Sequence, residues 1–289
     1  CIYREMEPMS AHTTFKIGGP ADIFVEPASE EMLSKVVAFC NEKEYPLYIL
    51  GNGSNLLVSD LGVEGVVVHI SNGLSDISVS DTNEITCGSG LRLSLLCNFA
   101  LEHGLTGLEF AWGIPGLVGG AVYMNAGAYD SEMSKVLKEC RCITRDGRFE
   151  TISLEKMKLG YRTSIFKEKK NRIVTSATFN LMPGIQEDIR NRMEELMQRR
   201  KLKQPLEFPS AGSTFKRPVG NFAGTLIEMC GLKGFAIGGA AVSEKHAGFV
   251  INTGDATASD VKRVIEAVSE KVFLETSVRL EPEVEFIGR

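Results

Sequence analysis

Two glycine-rich stretches carry the chemistry most open to reading. Gly51-Asn52-Gly53-Ser54-Asn55 follows directly on the strand-like run 47–50, and an apolar Leu-Leu-Val run begins at Leu56. Glycine admits positive φ and lets a backbone approach a partner closely. Successive N–H groups in such a turn form a nest for a phosphate oxygen, and Ser54 and Asn55 add side-chain donors. An ordinary turn has the same composition, so this loop decides nothing by itself. Two common nucleotide loops are excluded. A Rossmann fingerprint needs a third glycine and then a helix, and here Leu56 and a strand-like run stand in their place. A P-loop needs Gly-Lys-Ser/Thr, which the loop lacks.

The second stretch is Trp112-Gly113-Ile114-Pro115-Gly116-Leu117-Val118-Gly119-Gly120-Ala121, continuing to Asn125-Ala126-Gly127-Ala128-Tyr129. Such glycine density means a backbone pressed against something, either another chain segment or a ligand such as a diphosphate or flat ring. Pro115 is placed to open a short helix whose N-terminus faces an anion. Metal chemistry has little support. The cysteines (Cys1, Cys40, Cys87, Cys97, Cys140, Cys142 and Cys230) and the histidines (His12, His69, His103 and His246) are scattered, with no CxxC pair. Cys140 and Cys142 have the i, i+2 relation of strand neighbours. Reduced, packed thiols in a cytoplasmic protein are the plain expectation, and no metal is expected.

These loops need elements to hold them. Residues 23–25 read as a strand. Ser29 is an N-cap, with Glu30 and Glu31 in the first turn. Leu33, Val36, Val37 and Cys40 then recur at helical spacing until Pro46. Strands are expected at 47–50, 56–58 and 66–70. From residue 71 short β-like runs dominate, at 77–79, 84–87, 141–144 and 172–180. They are interrupted by a helix over 91–102, and Asp146-Gly147 marks a hairpin. From Pro183-Gly184 onward, Ile185, Ile189, Met193, Leu196 and Met197 form one helix face. Its other side ends in Arg199, Arg200, Lys201 and Lys203, before Pro205 and Pro209 break the chain. A capping-box-like start at 257–260 opens the last helix, with Val261, Val264, Ile265, Val268 and Val272 buried. Residues 280–287 read as a closing strand.

The pattern predicts α+β architecture in three parts, 1–70, 71–182 and 183–289, with the last strand free to pack back on the first part. The chain has 289 residues, natural for two or three small domains. Its 43% hydrophobic and 24% charged residues are ordinary for a soluble globular protein. No run approaches the roughly 18–20 apolar residues of a membrane helix, and the start lacks a signal-peptide pattern. Residue 1 is Cys rather than Met, as in a chain trimmed at its start. A net charge of −5 argues against bulk attraction to nucleic acid. No nucleic acid, no membrane and a monomer are expected.

Several ordered motifs span nearly the whole chain. They are His12-Thr-Thr-Phe-Lys-Ile-Gly-Gly19, the two glycine-rich loops, Gly160-Tyr-Arg-Thr-Ser164, Ser210-Ala-Gly-Ser-Thr-Phe-Lys-Arg-Pro218, Gly231-Leu-Lys-Gly234, Lys245-His-Ala-Gly-Phe249 and Leu280-Glu-Pro-Glu-Val284. Together they resemble the UDP-N-acetylenolpyruvoylglucosamine reductase family, within the vanillyl-alcohol-oxidase-like (PCMH-type) FAD-binding superfamily. The resemblance implies a two-subdomain FAD-binding fold plus a C-terminal α+β substrate-binding domain. It also implies non-covalent FAD, NADPH as reductant, and a UDP-sugar substrate in peptidoglycan precursor synthesis. In that reaction NADPH reduces FAD and leaves. The enolpyruvyl sugar nucleotide then accepts hydride at C3 and a proton at C2.

The resemblance places Gly51, Asn52, Gly53, Ser54, Asn55 and Leu56 at the cofactor. It adds Gly113, Ile114, Pro115, Gly116, Gly119, Gly120, Ala121, Asn125, Ala126 and Gly127. Ser213 becomes the proton donor. Arg162 becomes the partner of the substrate carboxylate, able to give two parallel hydrogen bonds. Glu283 completes the carboxylate pocket, protonated or shared with a cation so that like charges do not repel. Lys203, Arg217, Lys233, His246 and Arg200 are candidates for the diphosphate and uridine. Arg217 stands where relatives often have Asn. Ser213 lies only 51 positions after Arg162, which resembles the branch lacking a loop that carries a substrate-closing tyrosine.

Each assignment has a plainer reading. Ser213 can cap a turn, Arg162 can be a surface ion pair, Glu283 can be a solvated edge residue, and the basic run near Arg200 can offset its helix dipole. Two other functions compete. One is an FAD-dependent alcohol or sugar oxidoreductase of the same superfamily; the other is a non-catalytic nucleotide-binding protein.

Overall fold

A computed structural model describes all residues from Cys1 to Arg289. In chain order its main elements are β1 (Ile2–Pro8), β2 (Pro20–Glu26), α1 (Glu30–Glu42), β3 (Leu47–Leu50), β4 (Leu56–Val58), β5 (Val63–His69), β6 (Ile77–Val79), β7 (Glu84–Gly88), α2 (Leu93–Glu102) and α3 (Val118–Tyr123). There follow β8 (Leu137–Thr144), β9 (Phe149–Ser153), β10 (Arg172–Asn180), α4 (Gln186–Lys203), α5 (Ala223–Met229), β11 (Ala240–Val242), β12 (Val250–Asn252), α6 (Ala258–Thr276) and β13 (Glu285–Ile287). The result is α+β, as the mixed short runs predict. No helix is long and apolar enough to cross a membrane.

Two compact units divide the chain by contact. The first holds residues 1–4, 24–52 and 65–200; the second holds 5–23, 53–64 and 201–289. The four-stranded sheet has order β1-β2-β5-β3, with β3 and β5 parallel, Leu47 opposite Val66. Ser29 Oγ accepts the Met32 N–H and caps α1, so the acidic first turn starts where the sequence predicts.

The centre of the first unit is the five-stranded sheet β9-β8-β10-β7-β6, antiparallel throughout. Cys140 and Cys142 point to the same buried side of β8, where alternation sends i and i+2. All seven cysteines are free, and burial pushes the Cys142 thiol up to about 12. Gly147 turns the chain from β8 into β9 with φ +81, and its N–H donates to Thr144 O. A contiguous apolar core joins Ile85, Leu96, Val118, Val122, Phe166 and Phe179. Ile189 and Met193 of α4 join it, but Ile185 lies before the helix and is 68% exposed. The expected face therefore begins one turn later.

In the second unit, β11 and β12 pair antiparallel, and α5 and α6 share a core with Phe15, Leu57, Phe215 and Val284. The five valine and isoleucine positions expected on α6 are all buried. Thr257 and Asp260 form a full capping box at its start. The Asp60 carboxylate also accepts the N–H groups of Ala258 and Ser259, satisfying donors that a helix N-terminus leaves over. The closing strand is shorter than predicted. Only β13 is regular, and it pairs in parallel with β4, Glu285 opposite Leu56. Glu281 O and Glu283 N–H instead bond to the segment that carries Ser213.

Candidate active site

In the first unit the two glycine-rich loops meet. Asn52 Nδ2 donates to Pro115 O at 2.8 Å, and a Cβ at Gly51 would touch the Leu117 side chain at 3.7 Å. Building a Cβ at each glycine separates those pressed by their own chain from those that are not. At Gly113 it would lie 2.9 Å from Arg200 Cδ, at Gly119 2.9 Å from Ser89 Cβ, and at Gly127 2.6 Å from Ser131 O. At Gly116 the nearest contact is an ordinary 3.5 Å. Gly120 meets nothing within 4 Å and is exposed. Pro115 does not open a helix. Ile114 N–H turns back to Ala111 O, and Gly116 N–H to Ile114 O, so α3 starts three residues later at Val118. Ala121 is buried in α3, and Ala126 N–H closes onto Ala121 O.

Ser89 is a residue that the sequence reading missed. It is 1% exposed, its carbonyl accepts the Gly119 N–H at 2.8 Å, and its Oγ has no hydrogen-bond partner. A buried hydroxyl without a partner costs free energy. The available signal was Gly88-Ser89-Gly90, a third glycine-rich turn directly after a strand.

Arg162 sits in a tight turn of the same unit. Gly160 and Thr163 exchange both backbone hydrogen bonds, which forces Arg162 to φ +55, a region costly for a non-glycine residue. Buried Asn125 locks the turn. Its Nδ2 donates to Gly160 O at 3.1 Å, while its Oδ1 accepts the Ser134 N–H. Ser164 Oγ donates to Tyr123 O at 2.6 Å. Arg162 Nη2 donates to Gly127 O at 3.1 Å, and its guanidinium lies over the Tyr161 ring. The end of the second glycine loop and the candidate catalytic arginine are thus brought together. Nearby Glu132 is held below the usual carboxylate range, first by the Ser134 hydroxyl and, as a lesser cause, by the Arg162 charge.

The rest of the first loop belongs to the second unit. Gly53 has φ +60, and a Cβ there would lie 2.2 Å from His12 O, so its neighbour is the His12–Thr13 backbone. Ser54 and Asn55 are half-buried. Asn55 Nδ2 donates to Glu283 O at 3.1 Å, and Asn55 O accepts the Glu285 N–H.

Glu283 and Ser213 lie on paired segments. Glu283 N–H donates to Thr214 O at 2.8 Å, and Lys216 N–H donates to Glu281 O. Phe215 and Pro282 form a bridge between them. On its other side Thr214 N–H donates to Gly248 O, and Thr214 Oγ1 accepts the Val250 N–H at 2.9 Å. Ser213 is therefore carried between two fixed neighbours, exposed itself while Thr214 and Phe215 are buried. Its Oγ donates to Phe215 O at 3.3 Å.

Of the five expected substrate contacts, Lys203, Lys233 and His246 gather in the second unit. Burial lowers the His246 pKa most; the charges of Lys233 and Lys203 push the same way, against a backbone hydrogen bond and Glu228. Gly248 N–H donates to His246 Nδ1 at 3.1 Å. Nδ1 is then unprotonated, so the neutral ring carries its hydrogen on Nε2 and offers a donor there. Lys233 Nζ pairs with Glu228 at 2.7 Å. Arg217 stacks 4.0 Å over the Phe222 ring. Arg200 belongs to the first unit, where it packs against Gly113.

Comparison with known proteins meets this geometry. Residues 21–153 match the profile of an FAD binding domain. Residues 204–287 match that of the UDP-N-acetylenolpyruvoylglucosamine reductase C-terminal domain. The reductase of that name from Syntrophomonas wolfei is 50% identical over 282 residues, covering 98% of this chain and 94% of that one. Its namesake from Lachnoclostridium phytofermentans is 51% identical over 285 residues, covering 98% and 92%. The crystal structure of the Thermus caldophilus reductase superposes with a TM-score of 0.86 at 36% identity, covering 99% of this chain and all of that one. The chain belongs to the UDP-N-acetylenolpyruvoylglucosamine reductase family, with the FAD binding domain and C-terminal domain in that order.

Proposed function

We propose that this chain reduces UDP-N-acetylglucosamine enolpyruvate to UDP-N-acetylmuramate, with Ser213, Arg162 and Glu283 as its catalytic residues. The chain is an FAD-dependent oxidoreductase of peptidoglycan precursor synthesis, with NADPH as reductant. The observation that carries the residue assignment is the hydrogen bond from Glu283 N–H to Thr214 O, which sets the candidate proton donor beside the candidate carboxylate-pocket residue.

The residues present fit FAD. Ser89 Oγ is a buried hydroxyl lacking a partner, and Gly120 leaves open space where a side chain would stand. Asn52, Pro115, Gly116, Gly120 and Ser89 would hold the cofactor. FAD, when bound, would supply the redox chemistry that links NADPH to the enolpyruvyl double bond. The chain supplies the rest. The Ser213 hydroxyl holds the proton destined for C2. The Arg162 guanidinium meets the substrate carboxylate as negative charge grows there. Glu283 completes that contact as the neutral acid or by sharing a cation. Lys203, Lys233 and Arg217 suit a diphosphate, and His246 Nε2–H suits a neutral acceptor. Residues 1–70 and 71–182 are assigned mainly to the cofactor and 183–289 mainly to the substrate, with Arg162 reaching the substrate from the former, and the free thiols suit a cytoplasmic setting.

The test is a visible spectrum under anaerobic mixing. Flavin absorbance should bleach with NADPH and return with the enolpyruvyl sugar nucleotide. Bleaching without return would replace the substrate, and a protein that cannot be reconstituted with FAD would end the proposal. In the Ser213→Ala variant, bleaching should persist while the return slows at least ~100-fold, the scale of a lost general acid. Equal loss of both halves would remove Ser213 from its role.

A further inference from the structure

Motif position sets Arg200 beside Lys203 as a substrate contact, but its packing points elsewhere. Arg200 lies in the last turn of α4 and in the first unit, whereas Lys203 belongs to the second. Its stem lies on Gly113. A Cβ at that glycine would come within 2.9 Å of Arg200 Cδ and 3.5 Å of Nη1, with Met197 Cε at 3.4 Å. Tyr129, from the far end of the same glycine-rich loop, donates its O–H to Leu196 O one turn earlier in α4 at 3.0 Å. The guanidinium is thus framed by both ends of the loop already read as the cofactor cradle.

Arg200 Nε is buried and has no hydrogen-bond partner. Burial lowers the affinity of this group for its proton. A guanidinium carries five N–H donors and stays charged. A buried N–H of a half-buried guanidinium is unfavourable without a partner and becomes favourable when an acceptor such as an anion arrives. The helix C-terminus attracts cations in general, but that attraction is shared with exposed Arg199 and Lys201 and does not satisfy a buried Nε.

We propose that Arg200 is a cofactor-binding residue whose guanidinium meets a negative charge of FAD bound at the Gly113 loop. The inference rests on the FAD reading above. The charge has two possible sources within that cofactor, the diphosphate, which is anionic in both oxidation states, and the ring, which gains negative charge on reduction.

The test strips FAD from the full chain, adds it back to wild type, Arg200→Gln and Arg200→Lys, and measures FAD affinity, midpoint potential and the melting temperature of the stripped protein. Arg200→Gln should bind FAD at least tenfold more weakly in one or both oxidation states, Arg200→Lys should recover part of that loss, and the stripped variant should melt no lower than wild type. Equal weakening of both oxidation states, with an unchanged potential, identifies the diphosphate. Selective weakening of the reduced state identifies the ring, with the potential falling by about 30 mV for each tenfold of selectivity. Wild-type FAD affinity and potential with weakened sugar-nucleotide binding would return Arg200 to the substrate side and overturn the proposal. So would FAD loss that merely tracks a lower melting temperature. A wild-type chain that binds no FAD would instead overturn the reading beneath it.

Discussion

Replacing Gly120 by alanine separates a glycine kept for folding from one kept for a ligand. Gly120 lies inside α3, outside the left-handed region, and a Cβ there meets nothing within 4 Å. Alanine is favoured over glycine within a helix by roughly 0.5–1 kcal/mol. The FAD-free protein should therefore gain stability up to that amount. Gly119, one residue earlier, would drive its Cβ to 2.9 Å from Ser89 Cβ and offers no such gain. If the open face of Gly120 is where the cofactor lies, the added methyl crowds it. Overpacking of that kind costs about 1–3 kcal/mol, or roughly 5- to 150-fold in FAD affinity at 1.4 kcal/mol per tenfold. Urea unfolding of the stripped protein and a fluorescence titration with FAD read both quantities. Raised stability with wild-type FAD affinity would make that face plain solvent-exposed surface and refute the cradle. Lowered stability would refute the account of α3 itself.

Two further expectations concern the second unit. Thr214→Val keeps the side-chain shape and removes the acceptor of the Val250 N–H, leaving a donor unsatisfied in a residue only 1% exposed. The cost is about 1–3 kcal/mol, read as a lower urea midpoint, and Thr214→Ser should regain most of it. Turnover should fall by more than the folded fraction while flavin bleaching by NADPH persists, because the segment loosened by losing that hydroxyl also carries the Thr214 carbonyl that holds the Glu283 N–H. Unchanged stability would show that this hydroxyl does not set the register. His246 has a depressed folded pKa, so the unfolded chain binds protons more readily. Its stabilising contribution is complete above the ordinary value of 6.5 and is lost as pH falls through the lower folded value. His246→Gln should flatten the loss of stability on acidification; an unaltered slope would mean that other groups dominate that window.

The elements that are local in origin were legible from residue types alone. Leu47–Leu50 and Arg172–Asn180 form as strands over the residues their β-branched and apolar runs predict. Ser29 and Thr257 cap where they should because capping needs only a side-chain oxygen and a free N–H within three residues. What escaped depends on distant partners. Residues 280–287 look like one strand, yet Glu281 and Glu283 bond to Lys216 and Thr214, and only the last three residues reach β4. Pro115 looks like a helix start, but its carbonyl is taken by Asn52 from the other loop.

Ser89 escaped for a different reason. Nothing about a serine in Gly-Ser-Gly announces that its hydroxyl will be buried without a partner, because that follows from the closeness of Gly119, thirty positions on. The glycines pose the same problem in reverse. A sequence rich in glycine says that something lies close to the backbone and is silent on whether it is chain or ligand. Gly53, Gly119 and Gly127 are accounted for by His12, Ser89 and Ser131. The cofactor therefore explains fewer glycines than the loop contains, and Gly120, whose space is empty, carries most of the weight among them. A cradle argued from glycine count would have rested on the residues that bear on it least.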